Sequence, residues 1–183
     1  DRVSSQTYGN WTIYYNYTLD SNNKITKNSV TDREWNVIDY YYDSFWNTTQ
    51  KVIKKTISDL EYTYTYDSNN NLIKEKNPLW NGFTYSYDSN NNLIEKRQKS
   101  DVDSENSTND IVVSFEYDDV FNKVTKEILR NGTTINYTLD NFWNVVEKQT
   151  ISQNIETLES FEYNELWQLV SKTDANGNIS NFE

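Results

Sequence analysis

The sequence predicts an all-β protein in which tandem β-hairpins join edge to edge into one long antiparallel, twisted and curled sheet. Three observations carry this. Runs of alternating aromatic and small polar residues, as in Tyr62-Thr63-Tyr64-Thr65-Tyr66, have the two-residue period of a strand. Each run ends in a turn rich in Asp, Ser and Asn, residues that bond their own backbone and tolerate positive φ. The combination recurs along the chain, and a recurrence every ~20–50 residues marks a repeat architecture.

With the turn Asp of each unit as position zero, apolar residues stand at minus five, minus three and minus one. The units are Tyr15, Tyr17, Leu19 before Asp20; Ile38, Tyr40, Tyr42 before Asp43; Tyr62, Tyr64, Tyr66 before Asp67; and Phe83, Tyr85, Tyr87 before Asp88. They continue with Val113, Phe115, Tyr117 before Asp118; Ile135, Tyr137, Leu139 before Asp140; and Phe161, Tyr163 before Asn164. Position plus four is Asn47, Asn71, Asn92, Asn122 and Asn144, with Lys24 and Gln168 as exceptions, and two apolar residues such as Leu72-Ile73 usually follow. Half-units at Gly9-Asn10-Trp11-Thr12, at Asp32 to Ile38 and at Asp174 to Ile179 extend the array over residues 1–183.

Successive turn residues are 23, 24, 21, 30, 22 and 24 positions apart. The long interval holds Gln98 to Asp110, read as an exposed loop inserted between two hairpins. Asn131-Gly132 is the signal of a type I′ hairpin. Asn77-Pro78-Leu79-Trp80-Asn81-Gly82 is a turn with an aromatic in it, and no segment has a helical period.

A hairpin is marginal alone, so neighbours must pair. The minus-five, minus-three and minus-one side chains share one face, predicting a Tyr and Phe face with Thr, Ser, Asn and charges opposite. A sheet this wide must curl, with the tyrosines on its concave side. Leu, Ile and Val are too few for a dense aliphatic core.

Composition narrows function. Hydrophobic residues make up 35% of the chain and aromatics 15%, which is too aromatic for a disordered segment. The net charge of −11 argues against nucleic acid and anionic membranes. There is no Cys and no His, so thiol chemistry, the commonest metal ligand and the commonest general base are missing; an enzyme, a metal site and a cofactor are not expected. Met is absent even at residue 1, which points to a processed form or a fragment, and a lipid anchor upstream of residue 1 is conceivable. No apolar run approaches the ~20 residues of a membrane helix. Sequons at Asn10, Asn16, Asn47, Asn106, Asn131, Asn136 and Asn178 are few beyond what so Asn-rich a chain produces by chance.

The turn Asp residues read as backbone caps rather than acid–base pairs. Asp67-x-Asn69-x-Asn71 and Asp88-x-Asn90-x-Asn92 resemble the start of a calcium loop but lack its Gly and closing Glu. The residues that stand out are Trp35, Trp46, Phe121, Trp143 and Trp167, which occupy the same place in their units and are expected along one edge of the sheet. They form either a ladder that stacks sugar rings or a protein partner, or a seal in which each ring folds over the neighbouring turn. Burial of all five rings would exclude the ladder.

Tyr-x-Tyr-Asp-x-x-Asn-Asn-Leu, at Tyr64 to Leu72 and Tyr85 to Leu93, resembles the YD repeat of the RHS family, whose pattern has Gly after Asp-x-x. The likeness covers nearly the whole chain. Gly9 and Gly177 match the pattern; Asn23, Asn70 and Asn91 replace the Gly with a residue that still accepts positive φ. At Trp35, Trp46, Phe121, Trp143 and Trp167 a bulky residue stands there, so those turns are expected to differ in type. The resemblance implies a spiralling hairpin sheet, which in large members encloses a toxin and in short members acts as a secreted or surface-attached repeat protein. It therefore implies an extracellular or cell-surface scaffold or interaction module with a protein partner. The alternatives are a polysaccharide-binding module, or a piece of a toxin-enclosing shell.

Overall fold

The computed structural model describes residues 2–106 and 108–182. The fold is all-β: among the described residues there are sixteen strands and no helix. The strands are β1 (Ser5–Tyr8), β2 (Trp11–Leu19), β3 (Ile25–Thr31), β4 (Val37–Tyr42), β5 (Thr48–Ile53), β6 (Leu60–Tyr66), β7 (Leu72–Lys76) and β8 (Gly82–Tyr87). They continue as β9 (Leu93–Lys99), β10 (Ile111–Tyr117), β11 (Val124–Ile128), β12 (Thr134–Leu139), β13 (Val145–Ser152), β14 (Ile155–Tyr163), β15 (Leu169–Thr173) and β16 (Ile179–Asn181). The order in the sheet is the order in the chain. Two compact units are present: Asp1–Tyr85 with Gln98–Asp110, and Ser86–Arg97 with Ile111–Glu183.

The turn chemistry that the sequence announced is built out in full. In the β6–β7 turn Asp67 N–H donates to the Asn71 carbonyl, and Asn70 N–H donates back to the Asp67 carbonyl. The Asp67 carboxylate accepts from Asn69 N–H at 2.9 Å, Asn71 N–H at 2.8 Å and the Asn71 side-chain amide at 3.0 Å. Asn70 has φ 64°. This is a type I turn closed by one left-handed residue. The same pair of backbone bonds recurs at Asp20, Asp32, Asp43, Asn77, Asp88, Leu129, Asp140, Asn164 and Asp174.

Here the structure corrects two expectations. Trp35, Trp46, Trp143 and Trp167 adopt φ of 62°, 72°, 63° and 60°, so their turns have the same geometry as the Asn turns. A left-handed L-residue costs about 1–2 kcal/mol; the side-chain clamp, a carboxylate at Asp32, Asp43 and Asp140 and the Asn164 amide oxygen at Trp167, holds the turn together with the paired strands and leaves the Trp no alternative. Only the Asp118 turn differs. It is one residue longer, with Asp118 N–H donating to the Lys123 carbonyl and the left-handed residue at Asn122 rather than Phe121. The second correction concerns Asn131-Gly132. Only Gly132 has positive φ, and the turn is of the Asp type with Leu129 in the zero place. The turn with two left-handed residues is instead Gln153-Asn154, between β13 and β14.

Six of the seven unit hairpins are described with a β-bulge in the return strand. Tyr66 pairs Leu72 and Thr65 pairs Lys74, so Ile73 is an extra residue. Thr26, Val146 and Val170 are extra in the same way. A bulge changes side-chain parity. The charged residue two places beyond the extra one therefore points to the aromatic face: Lys51 lies opposite Tyr40, Glu75 opposite Tyr64, Glu127 opposite Phe115 and Lys148 opposite Tyr137. Charges were expected on the other face only; the bulge, invisible to a strict two-residue period, moves a set of them.

Burial is thin. Val52 and Val102 are the only buried apolar side chains among the described residues. Tyrosines other than the exposed Tyr8 and Tyr14 are half-buried, and several tie the sheet by their hydroxyls: Tyr66 donates to the Thr48 carbonyl at 3.1 Å in the first unit, and Tyr117 to Leu93 and Tyr163 to Val145 at 2.9 and 3.0 Å in the second. On the opposite face of the first unit Asp39 is buried and bonded to Ser29 at 2.6 Å and Lys27 at 2.8 Å. Burial opposes its ionisation, but those bonds outweigh burial and hold its carboxyl below the usual range. The segment from Gln98 to Asp110 is not simply an exposed loop. Val102 is buried and donates its N–H to the Trp80 carbonyl, and Asp103 pairs with Lys74 and Lys76.

Candidate binding surface at the turn edges

Each candidate ring is presented by a turn whose backbone is fully committed to its Asp or Asn. The Asp140 carboxylate takes Phe142 N–H at 2.7 Å, Asn144 N–H at 2.9 Å and the Asn144 amide at 2.9 Å. The Asn144 side-chain bond leads the interactions that hold this carboxyl below the usual range. Asp32, Asp43, Asp67, Asp88 and Asp174 are lowered in the same direction, chiefly by bonds from the Asn four places on. These groups are ionised caps, fully engaged with their own turns. No cluster of three or more metal-binding side chains exists among the described residues.

All five rings are exposed, from 41% for Trp143 to 75% for Trp35. They do not share one edge. In an antiparallel meander consecutive turns lie at opposite ends of a strand. Trp35 is in the β3–β4 turn and Trp46 in the β4–β5 turn, so the two stand at opposite ends of β4. In the second unit Phe121, Trp143 and Trp167 occupy alternate turns and do share an edge.

Along that edge the rings meet. Phe121 and Trp143 have centroids 3.6 Å apart at 39°, and Phe142 and Trp167 6.0 Å apart at 44°. A groove of about 400 Å³ lies beside the second pair, lined by Asp140, Phe142, Tyr163 and Trp167. The rings thus cover neighbouring turns and still show an open face. In the first unit Trp35 lies over Tyr14 at 6.3 Å, while Trp46 is exposed. Sequence reasoning missed two participants. Phe142 precedes its Trp and was not singled out. Trp80 takes the left-handed place in the Asn77 turn with φ 69° and receives the Lys76 ammonium 4.5 Å from its ring centroid. Counting back three residues from Trp80 to Asn77 would have found it.

No helix among the described residues is long and apolar enough to cross a membrane.

No family model matches the chain, and no curated protein matches its sequence. Solved structures do. The Tc holotoxin pore of Photorhabdus luminescens matches with TM-score 0.70 at 14% identity, over 93% of this chain and 9% of that one. The TcdB2-TccC3-Cdc42 structure matches with TM-score 0.69 at 15% identity, and TcdB2-TccC3 with 0.68 at 14%, each over 93% of this chain and 10% of the other. The chain spans about a tenth of the length of these neighbours. At such identities the likeness is one of fold, and the fold is RHS-like: consecutive antiparallel hairpins with the turn Asp repeated along them.

Proposed function

We propose that the chain is a non-enzymatic stretch of hairpin-repeat wall that works as part of a larger extracellular or cell-surface protein assembly. The observation that carries this is the pairing of strands in strict chain order, each hairpin joined edge to edge to the next. A meander of this kind gains stability from each neighbouring hairpin and extends by adding hairpins. The fold match over 93% of this chain but 10% of a multi-component toxin chain supports the same reading. A segment of a toxin-enclosing shell is the most specific form of it. Cross-linking and co-purification from the native source, with surface labelling of intact cells, test it. Recovery of a stoichiometric protein assembly at the surface is expected; a free monomer inside the cell would refute it.

A second reading rests on the exposed ring pairs of the second unit, which offer a flat stacking surface to a polysaccharide or a partner protein. On that reading Trp143→Ala abolishes binding on a glycan array, or releases the partner, while the fold remains intact.

A further inference from the structure

We propose that the groove beside Phe142 and Trp167 binds a small soluble quaternary ammonium compound by its trimethylammonium group. Three rings line this groove of about 400 Å³: Phe142, Tyr163 and Trp167. Asp140 and Glu165 border it, and no Lys or Arg does. Phe142 and Trp167 are each 61% exposed, with ring centroids 6.0 Å apart at 44°, so they form two walls of an open cage and not a closed stack. Tyr163 adds a third ring from β14, where burial and the nearby Asp140 charge push its hydroxyl up. Trp80 holds the same left-handed turn place in the first unit, and there the chain covers the ring with its own cation, the Lys76 ammonium. Trp167 receives no such cation among the described residues.

The polar groups of the groove select the ligand, because most are already bonded within the protein. The Asp140 carboxylate takes Phe142 N–H, Asn144 N–H and the Asn144 amide. The Tyr163 hydroxyl donates to the Val145 carbonyl, and the Asn164 side chain bonds Leu166 N–H, Gln168 N–H and the Gln168 side-chain oxygen. The exposed Glu165 carboxylate has no partner among the described residues. A ligand that needs directional hydrogen bonds is therefore poorly served. A primary ammonium has three N–H groups to satisfy, and a quaternary one has none. Ring faces and negative charge suffice to hold it. Asp140 supplies that charge, since the Asn144 bond leads the interactions that keep it ionised, and Glu165 adds to it. The net charge of −11 favours a cation over an anion across the whole surface.

The proposal rests on the exposed rings of the second reading above but not on its Trp143, and the test separates the two. The full chain is titrated with tetramethylammonium and with choline by calorimetry, and chemical-shift mapping locates the complex. Both are expected to bind and to perturb the Asp140 and Asn164 turns. The uncharged tert-butyl isostere of choline should bind about tenfold more weakly or worse, and methylammonium more weakly than tetramethylammonium. Phe142→Ala and Trp167→Asn, which keep the turn backbone, should each weaken binding about threefold to tenfold. Glu165→Gln should weaken it measurably, and Trp46→Ala should leave it unchanged. The proposal is overturned if neither cation binds, if the uncharged isostere binds as tightly as choline, if methylammonium binds more tightly than tetramethylammonium, or if Phe142→Ala and Trp167→Asn both retain full affinity. If the cations fail while Trp143→Ala still releases a glycan or partner, this site falls and the second reading stands; if the cations bind and Trp143→Ala releases nothing, the second reading falls and this site stands.

Discussion

Two turns of the second unit solve one problem in different ways. The Asp88 and Asp140 turns have the same backbone bonds, the same three-bond carboxylate clamp and left-handed residues at φ 64° and 63°. In the first the left-handed residue is Asn91, and the contact to the next turn is an amide bond, Asn92 to Asn122 at 3.0 Å. In the second it is Trp143, and the contact is a ring on Phe121. The clamp sets turn geometry, while the left-handed residue sets what the edge shows to solvent. The first kind of turn offers amides that are already paired; the second offers ring faces still open.

The comparison can be broken at its common part first. Asp88→Ala and Asp140→Ala each remove three hydrogen bonds, and both should lower the melting temperature by similar amounts, more than any other change proposed here. A large loss at one and none at the other in thermal unfolding would show that the clamps are not equivalent. Next comes the exchange of left-handed residues. Asn91→Trp should destabilise by about 1–2 kcal/mol, because a bulky residue meets the left-handed cost without a ring beside it. Trp143→Asn should stay within about 1 kcal/mol of the parent, since relief of that cost offsets the lost ring contact. Urea unfolding of the pair reads both, and equal effects would sink the distinction.

The clamp also has a pH signature. The Asp88 and Asp140 carboxyls are held below their ordinary value, so their contribution is fully present above about pH 4 and is lost as pH falls through the lower folded values. The urea midpoint should fall on acidification, and less steeply in Asp88→Asn and Asp140→Asn. The smallest expected effect is at high pH. Burial and the bond to Glu127 push the Tyr137 hydroxyl up to about 12. The folded chain keeps that proton where the unfolded chain releases it, so stability falls between about pH 10 and pH 12. Tyr137→Phe should flatten this decline; an unchanged slope would mean the hydroxyl is not held.

The hairpins, their order and the clamp were legible because each depends on residues close in sequence. Asp at zero and Asn at plus four meet within one turn, and alternation marks a strand without knowledge of its partner. The candidate rings were found by position in the repeat, but their placement was misjudged. Trp35 looked equivalent to Trp46 because both follow an Asp by three, yet they stand at opposite ends of β4. Trp80 was passed over because Asn77 replaces the Asp. The Trp turns were expected to differ because a local steric rule was applied without the clamp that overrides it.

The sequence by itself determined that this chain forms consecutive hairpins, capped by carboxylates and lined on one face by tyrosine. Local bonds and a two-residue period suffice for that. Tertiary structure decided which face the charges take, because one bulged residue reverses parity for the rest of a strand. It decided that Gln98 to Asp110 folds against Trp80, Lys74 and Lys76, contacts far apart in the chain. It also decided that Glu75 sits between Tyr64 and Phe83, since a carboxylate's neighbours across a sheet are set by strand register and not by the residues beside it in sequence.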